Sequence, residues 1–517
     1  MTAIAARTPN RRGRNKANEA QPARPIEPGM IGGHYRPLSD AEMTRIHALV
    51  LQLLEDLGLS QVTPTLEARA IAAGCWVDSD GRLRFPRALV EDIIAKTRRK
   101  FTLHGIDPAH DIEIGGRRVH TGTGGAAPTI MDFETGKYRE STVADLYDIA
   151  RLVDRMDNIH WYHRSVVARD TTSILDLDIN TTYACLSGTS KSIAVSYTDA
   201  ASVRAVMPML DAVAGGEGKF RERPFCTAVC CHVVPPMRFA TESCEALEAA
   251  VLAGMPILLV AAGQAGATAP AALAGAVAQA CAEVLAGLIL CNIIDPNCRG
   301  IFATWPFVSD LRTGAMSGGS GEQALLSAAC AQMAGFYDLP NSVPAGMTDS
   351  KLPDFQAGGE KGYTVSLAAH AGASMIHESA GMQGSLMGTS FESYVLDNDL
   401  LGAILRTVRG VEVSEDALSF DTIRDVVMGE GHYLGHPQTF SRMKTDYLYP
   451  NIANRRSISE WQDAGARDAR DVARDVVRNV LTDHYPTHIP AEVDNQLREN
   501  FNIILPRNRM IAGNGAW

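Results

Sequence analysis

From about residue 118 the chain repeats one unit eight times, a short apolar run closed by a polar or Gly-containing turn, and most of these runs are followed by a longer helical pattern. The runs fall at residues 118–122, 159–167, 192–197, 225–231, 256–262, 300–304, 341–346 and 374–377. Helical spacing of apolar residues occupies 142–156, 200–213, 241–253, 270–286, 321–335 and 356–371. Parallel strands need a crossover to return to the same edge, and a helix is the usual one. Regular strand–helix alternation therefore predicts an α/β fold, a (β/α)8 TIM barrel. The competing doubly wound sheet requires a glycine-rich phosphate turn, for which Gly122-Thr123-Gly124-Gly125 is a poor match.

Around this barrel, expected at 111–412, the sequence predicts three further regions. Residues 1–30 carry Arg7, Arg11, Arg12, Arg14, Lys16 and Arg24 against Glu19 and Glu27, with little apolar surface, and read as a disordered basic tail. Residues 31–110 read as an N-terminal helical region, opened by Ser39 as N-cap of an amphipathic run that stops at Gly58. Residues 413–517 read as a C-terminal helical region, in which ARDARDVARDVVR looks like a solvated face.

A net charge of −11 with scattered basic residues argues against a nucleic-acid surface. The longest apolar stretches, 246–262 and 271–294, are broken by Glu248, Gly254, Pro256, Gln279 and Glu283, so buried elements are expected there and no membrane span. The start is polar and Arg-rich, without the apolar core of a secretory signal, and the 10 cysteines lack the spacing of a disulfide framework. Both point to the cytoplasm.

Barrel enzymes place reactive groups at the C-terminal ends of their strands. Here these positions hold 121–125, His163, Arg164, Ser196, Tyr197, His232, Gln264, Trp305, Phe307, 348–351, His377 and Glu378. The adjacent ionisable pair His377 and Glu378, at the mouth of the last strand, is the candidate catalytic pair. Neither a nucleophile elbow nor a glycosidase carboxylate pair is evident. Cys226, Cys230, Cys231 and His232 cannot all face one zinc ion from a strand whose side chains alternate. His432 and His436 have i, i+4 spacing, but Gly435 and Pro437 break the helix that a metal pair would need, so no metal is expected.

The segment PAGMTDSKLPDFQAGGEK (344–361), with ASMIHESAGM (373–382) and GHYLGHPQT (431–439), resembles the trimethylamine methyltransferase family, and the likeness runs loosely from about 35 to about 485. The resemblance implies a barrel that docks a separate corrinoid protein and passes a methyl group to Co(I). Cobalamin would then be carried by that partner, with none tightly bound in this chain, which lacks an Asp-x-His-x-x-Gly cobalt-ligand motif. The family's archaeal trimethylamine enzymes carry pyrrolysine, whereas residues 377–384 here are ordinary. That departure turns the expected substrate from a tertiary to a quaternary amine, which needs no acid to leave. Glycine betaine comes first, with trimethylamine, carnitine and proline betaine as alternatives and a non-catalytic betaine sensor as the alternative of another class.

On this reading Tyr197, Trp305 and Phe307 would form an aromatic cage for the ammonium group. Arg164, His232, Lys351 and His377 would supply donors to a carboxylate, with Asp349 beside them. His432, His436 and Gly124 would lie toward the corrinoid. A homo-oligomer is expected.

Overall fold

The computed structural model describes residues 24–517, so most of the expected basic tail lies outside the described residues. All eight expected strands are present: β1 (Arg118–Thr121), β2 (Tyr162–His163), β3 (Ile193–Val195), β4 (Cys226–Cys230), β5 (Pro256–Ala261), β6 (Arg299–Thr304), β7 (Asn341–Pro344) and β8 (Met375–His377). They run parallel in the order β1-β8-β7-β6-β5-β4-β3-β2. The ring closes where Gly122 bridges Trp161 and the His160 amide donates to Thr121 O at 2.8 Å.

Each strand is followed by a helix: α1 (Val143–Asp154), α2 (Ile174–Gly188), α3 (Ala200–Ala214), α4 (Thr241–Leu252), α5 (Leu273–Ile294), α6 (Gly321–Tyr337), α7 (Phe355–Ala371) and α8 (Phe391–Arg409). The sequence pattern had not singled out α2 or α8. The second half of α2 is buried all round, polar Asn180, Thr181 and Thr182 included, so it carries no amphipathic stripe. Helix α5 has the length and apolarity to cross a membrane, but it is packed within the barrel shell with almost every residue buried.

Interior and exterior of the strands form separate apolar clusters, as period-two alternation requires. Ala194, Val229, Leu258, Val260, Ile301 and Ala303 point inward. The hairpin Lys100–Leu103/Ile112–Gly115 adds Phe101, Leu103, Ile112 and Ile114 to that interior cluster. Its bonds to residues that precede strands, Asp107 N to Ser190 O and Arg223 to Asp111, place it at the N-terminal end, where it closes the floor. The C-terminal end of the barrel is the one this hairpin leaves uncovered.

Other parts of the frame follow local chemistry. Ser39 caps helix Asp40–Gln52 in a capping box with Glu42, and the run ends at Gly58 (φ 59°), where a Cβ would lie 2.2 Å from Leu83 O. The region before the barrel is less helical than expected, since it also contains the small sheet of Leu59–Ser60, Trp76–Val77 and Arg82–Arg84. Lys191 is fully buried and donates to Val153 O, Met156 O and Ile159 O at 2.6–2.7 Å, closing the end of α1. Burial pulls its ammonium down to about 8.

The C-terminal part divides differently from the expected single region. Glu412–Leu448 falls in one compact unit with Arg24 and Pro25, whereas Tyr449–Trp517 belongs with the barrel. The ARDARDVARDVVR segment is also not simply solvated. Helix Ala469–Asp483 buries Ala473, Val477 and Leu481, while Arg474 pairs with buried Glu392 at 2.7 Å and stacks 4.0 Å over the Phe133 ring.

Candidate functional site

The site is built where inward-facing positions of β2, β6 and β8 reach the mouth. Trp161, His163, Trp305 and His377 are all buried there. The His377 ring is the hub, 4.9 Å from each indole, Trp161 and Trp305, and 5.5 Å from His163 in an edge-on arrangement. Backbone room comes from glycine: a Cβ on Gly122 would lie 2.2 Å from the Trp161 ring. Only glycine lets that indole lie against β1.

Orientation of His377 follows from hydrogen-bond roles. Trp305 Nε1 can only donate, and it donates to Ser342 Oγ at 3.1 Å. Ser342 Oγ lies 2.7 Å from His377 Nδ1, its other partner among the described residues. With the hydroxyl proton on Nδ1 the ring proton would sit on Nε2, which is buried without a partner among the described residues. Burial drives the His377 pKa well below the ordinary range, and His163 adds to the effect; His163 itself is lowered to about 3. Both imidazoles are neutral at physiological pH.

Glu378 is buried, and its Oε2 has no hydrogen-bond partner among the described residues. Desolvation raises its carboxyl to about 8. Its backbone is left-handed (φ 65°), a conformation that costs a non-glycine residue roughly 1–3 kcal/mol and survives only where neighbours impose it. Here they do. The Ser379 amide and hydroxyl both donate to Gly122 O (3.1 and 2.8 Å), and Asp397, paired with buried Lys361, accepts from Gly381 N at 2.7 Å. A Cβ on Gly346 would lie 2.6 Å from Ser379 Cα, so β7 also gives way to this turn.

Arg164, just past β2, is largely enclosed; its Nε has no hydrogen-bond partner, and it makes no ion pair among the described residues. Burial lowers its pKa, with Asp178 the nearest opposing charge. Cys231, the one exposed cysteine, follows β4; burial raises its thiol, while Arg164 lowers it and Glu378 raises it. Phe307 joins the interior cluster together with Trp305 and Met347.

Other expected site residues are placed elsewhere. Tyr197 does not face the mouth. Ala194 points inward, so Tyr197, three residues on, points outward, where its hydroxyl meets Cys226 Sγ at 3.4 Å in the shell. His232 likewise turns outward onto α5, bonding Glu283 O at 2.9 Å in a space left by Gly287, whose Cβ would lie 2.3 Å from its Nε2. Lys351 is exposed and donates to Asp349 O at 2.6 Å. Asp349 is a rim staple, accepting from Ser317 Oγ and Gly318 N at 2.8 Å and from Ser385 Oγ. Gly124 is buried under the site side chains, a Cβ there falling 3.2 Å from His163 Nδ1 and 3.3 Å from Glu378 Cγ.

His432 and His436 lie in the Glu412–Leu448 unit. His436 caps helix Pro437–Thr445 by accepting from Gln438 N at 3.2 Å, and exposed His432 lies 3.7 Å from Glu430. Among the described residues no three His, Cys, Asp or Glu side chains are grouped to hold a metal ion.

Three members of the cluster were not in the expected set. His163 was seen at a strand end but given no role, and Trp161 and Ser342 were passed over. The signal for the first two is the alternation Trp161-x-His163 within a strand; Ser342 had none.

The family model for trimethylamine methyltransferase matches residues 5–505. The chain belongs to the trimethylamine methyltransferase family, and it is a methyltransferase. Within this family it is 31% identical over 440 residues to the trimethylamine methyltransferase MttB of Methanosarcina barkeri, covering 84% of this chain and 88% of that one. It is 28% identical over 434 residues to the glycine betaine methyltransferase of Desulfitobacterium hafniense, covering 84% and 90%. Among solved structures it is similar to the monomethylamine methyltransferase MtmB of Methanosarcina barkeri, with a TM-score of 0.44 at 12% identity over 87% of this chain and 95% of that one.

Proposed function

We propose that this chain takes a methyl group from a quaternary amine, glycine betaine first, and passes it to the Co(I) of a corrinoid carried by a separate protein, in the cytoplasm. The observation that supports the reading is the chemistry of the mouth. Two indoles and two neutral imidazoles are grouped at the mouth, and among the described residues neither the buried Oε2 of Glu378 nor the Nε of the half-buried Arg164 has a hydrogen-bond partner. Unpaired buried polar atoms cost about 1–3 kcal/mol each, a cost that a ligand with matching groups removes.

A trimethylammonium group matches the inner part. Indole faces attract it by roughly 0.5–2 kcal/mol each, and ionised Glu378 supplies the opposing charge. A carboxylate on the same substrate matches Arg164, with the His377 Nε2 proton as a second donor. Trimethylamine has nothing for Arg164 to bind, which favours a betaine.

The chemistry needs no acid. The Co(I) electron pair forms the bond to the methyl carbon, the C–N bond breaks, and its pair stays on nitrogen, so the product is a neutral tertiary amine. This chain's part is to bind, orient and exclude water.

The test is anaerobic incubation of the protein with Co(I) cobalamin and, separately, glycine betaine, carnitine, proline betaine and trimethylamine, following methylation of cobalt by absorbance. Methylation with glycine betaine is expected, and Arg164→Met should raise its KM at least tenfold. Turnover with trimethylamine alone would overturn the substrate. Tight betaine binding without turnover, even with the organism's corrinoid proteins supplied, would replace the enzyme reading with a sensor.

A further inference from the structure

Met316 comes from the β6–α6 connection and Leu386 from the β8–α8 connection, and both pack on the interior cluster that holds Trp161 and Trp305. The two indoles are 1% and 5% exposed, whereas Met316 and Leu386 are half-buried, so these side chains form an outer layer at the C-terminal end. Leu386 also reaches the β1–α1 connection, where a Cβ on Gly125 (φ 96°) would lie 3.1 Å from its Cδ2.

One carboxylate fixes both. Asp349, in the β7–α7 connection, accepts from Ser317 Oγ and Gly318 N at 2.8 Å, directly after Met316, and from Ser385 Oγ, directly before Leu386. Its own place is set by Glu360 Oε2, which accepts from Asp349 N at 2.7 Å and from Thr348 Oγ1.

The tip that carries Leu386 does not hold its shape alone. Gly384 (φ 55°), Ser385 (φ 52°) and Leu386 (φ 73°) are three consecutive left-handed residues, two of them with side chains, and such a turn persists only where its surroundings impose it. The ties are Gly384 N to Ser350 O and Ser385 N to Thr348 O, both 2.8 Å, together with the Ser385 hydroxyl on Asp349.

We propose that Asp349 is a positioning residue, whose carboxylate holds Met316 and Leu386 as an apolar roof that closes the aromatic site against water. Shielding of that kind strengthens the attraction between an ammonium group and Glu378. This consequence rests on the reading of the mouth as the amine site, whereas the roof itself does not.

Hydroxyl-radical footprinting reads the roof without turnover. Asp349→Asn should raise oxidation of Trp161 and Trp305 at least threefold, with Trp76, 41% exposed in the small sheet before the barrel, as the unchanged reference. Leu386→Ala, which removes roof but no hydrogen-bonding group, should do the same and carries the test if Asp349→Asn fails to fold; Leu386→Met should restore wild-type oxidation. In steady state, Asp349→Asn should raise KM for glycine betaine at least tenfold and leave kcat within threefold. On a Met316→Ala, Leu386→Ala background it should add less than twofold, because it acts through those two side chains. Unchanged indole oxidation in Leu386→Ala, or an Asp349→Asn effect undiminished on the roofless background, would overturn the proposal. A wild type that does not turn over betaine, with indoles that oxidise faster in both variants, would overturn the substrate and uphold the roof.

Discussion

His377 and His232 are both buried histidines beside glutamates at strand ends, yet the barrel wall separates what they can do. His232 faces outward, bonds Glu283 O and fills the notch at Gly287. His377 faces inward, held by Ser342 on one nitrogen, with the other aimed at the site. Their carboxyl neighbours repeat the contrast. Glu283 is raised to about 7, and its Oε1 accepts from Met237 N (2.8 Å) and Gln279 Nε2 (3.0 Å) while its Oε2 is unpartnered; Glu378 is raised to about 8, and among the described residues no hydrogen bond offsets its burial. Shared burial with unequal pairing marks the inner group as the one poised for a ligand.

Substituting the two carboxyls is the strongest way to break this contrast. Glu378→Gln should lower kcat/KM for glycine betaine by about a hundredfold, the scale of removing one partner of a desolvated charge pair. Glu283→Gln should stay within about twofold. Equal losses would mean that the inner and outer faces do not differ in function.

The aromatic pair gives a smaller effect. Trp305→Ala removes an indole that touches His377 and should cost about thirtyfold, or ~2 kcal/mol, whereas Tyr197→Phe, in the shell, should change kcat/KM by less than twofold. Steady-state kinetics on both variants decides the matter, and a Tyr197 effect as large as that of Trp305 would return the tyrosine to the cage.

Proton linkage sharpens the comparison further. Below about pH 8 Glu378 holds a proton that a cationic substrate must displace. Betaine affinity should therefore rise with pH by up to about tenfold per unit and level off above pH 8, with a proton released on binding. Titration calorimetry in buffers of different ionisation enthalpy reads that proton, and Glu378→Gln should abolish both signals.

Stability should respond to the same two groups. Both carboxyls are raised in the folded state, so each contributes stability that is complete below the unfolded value near 4.5 and is lost as pH rises through the folded one. The melting temperature should fall between about pH 5 and 8. Glu283→Gln should flatten that fall up to about pH 7, and Glu378→Gln should flatten it up to about pH 8. A melting temperature that rises over this window would contradict the burial of both groups.

The sequence by itself determined the barrel. Eight apolar runs with turns between them leave parallel pairing as the way to bury every strand on both faces, and all eight lie where their pattern put them. Strand ends are visible in one dimension, so His377, Glu378 and Trp305 could be read as lying at the ends of their strands. Only the tertiary structure decided which side of the wall each end residue faces. A shift of one residue in register flips a side chain from mouth to shell, and the apolar pattern of a strand buried on both faces does not record that choice. For that reason Tyr197 and His232 went outward, Trp161 and His163 came in, and the glycines at 122 and 124 proved to be spaces for side chains that arrive from other strands.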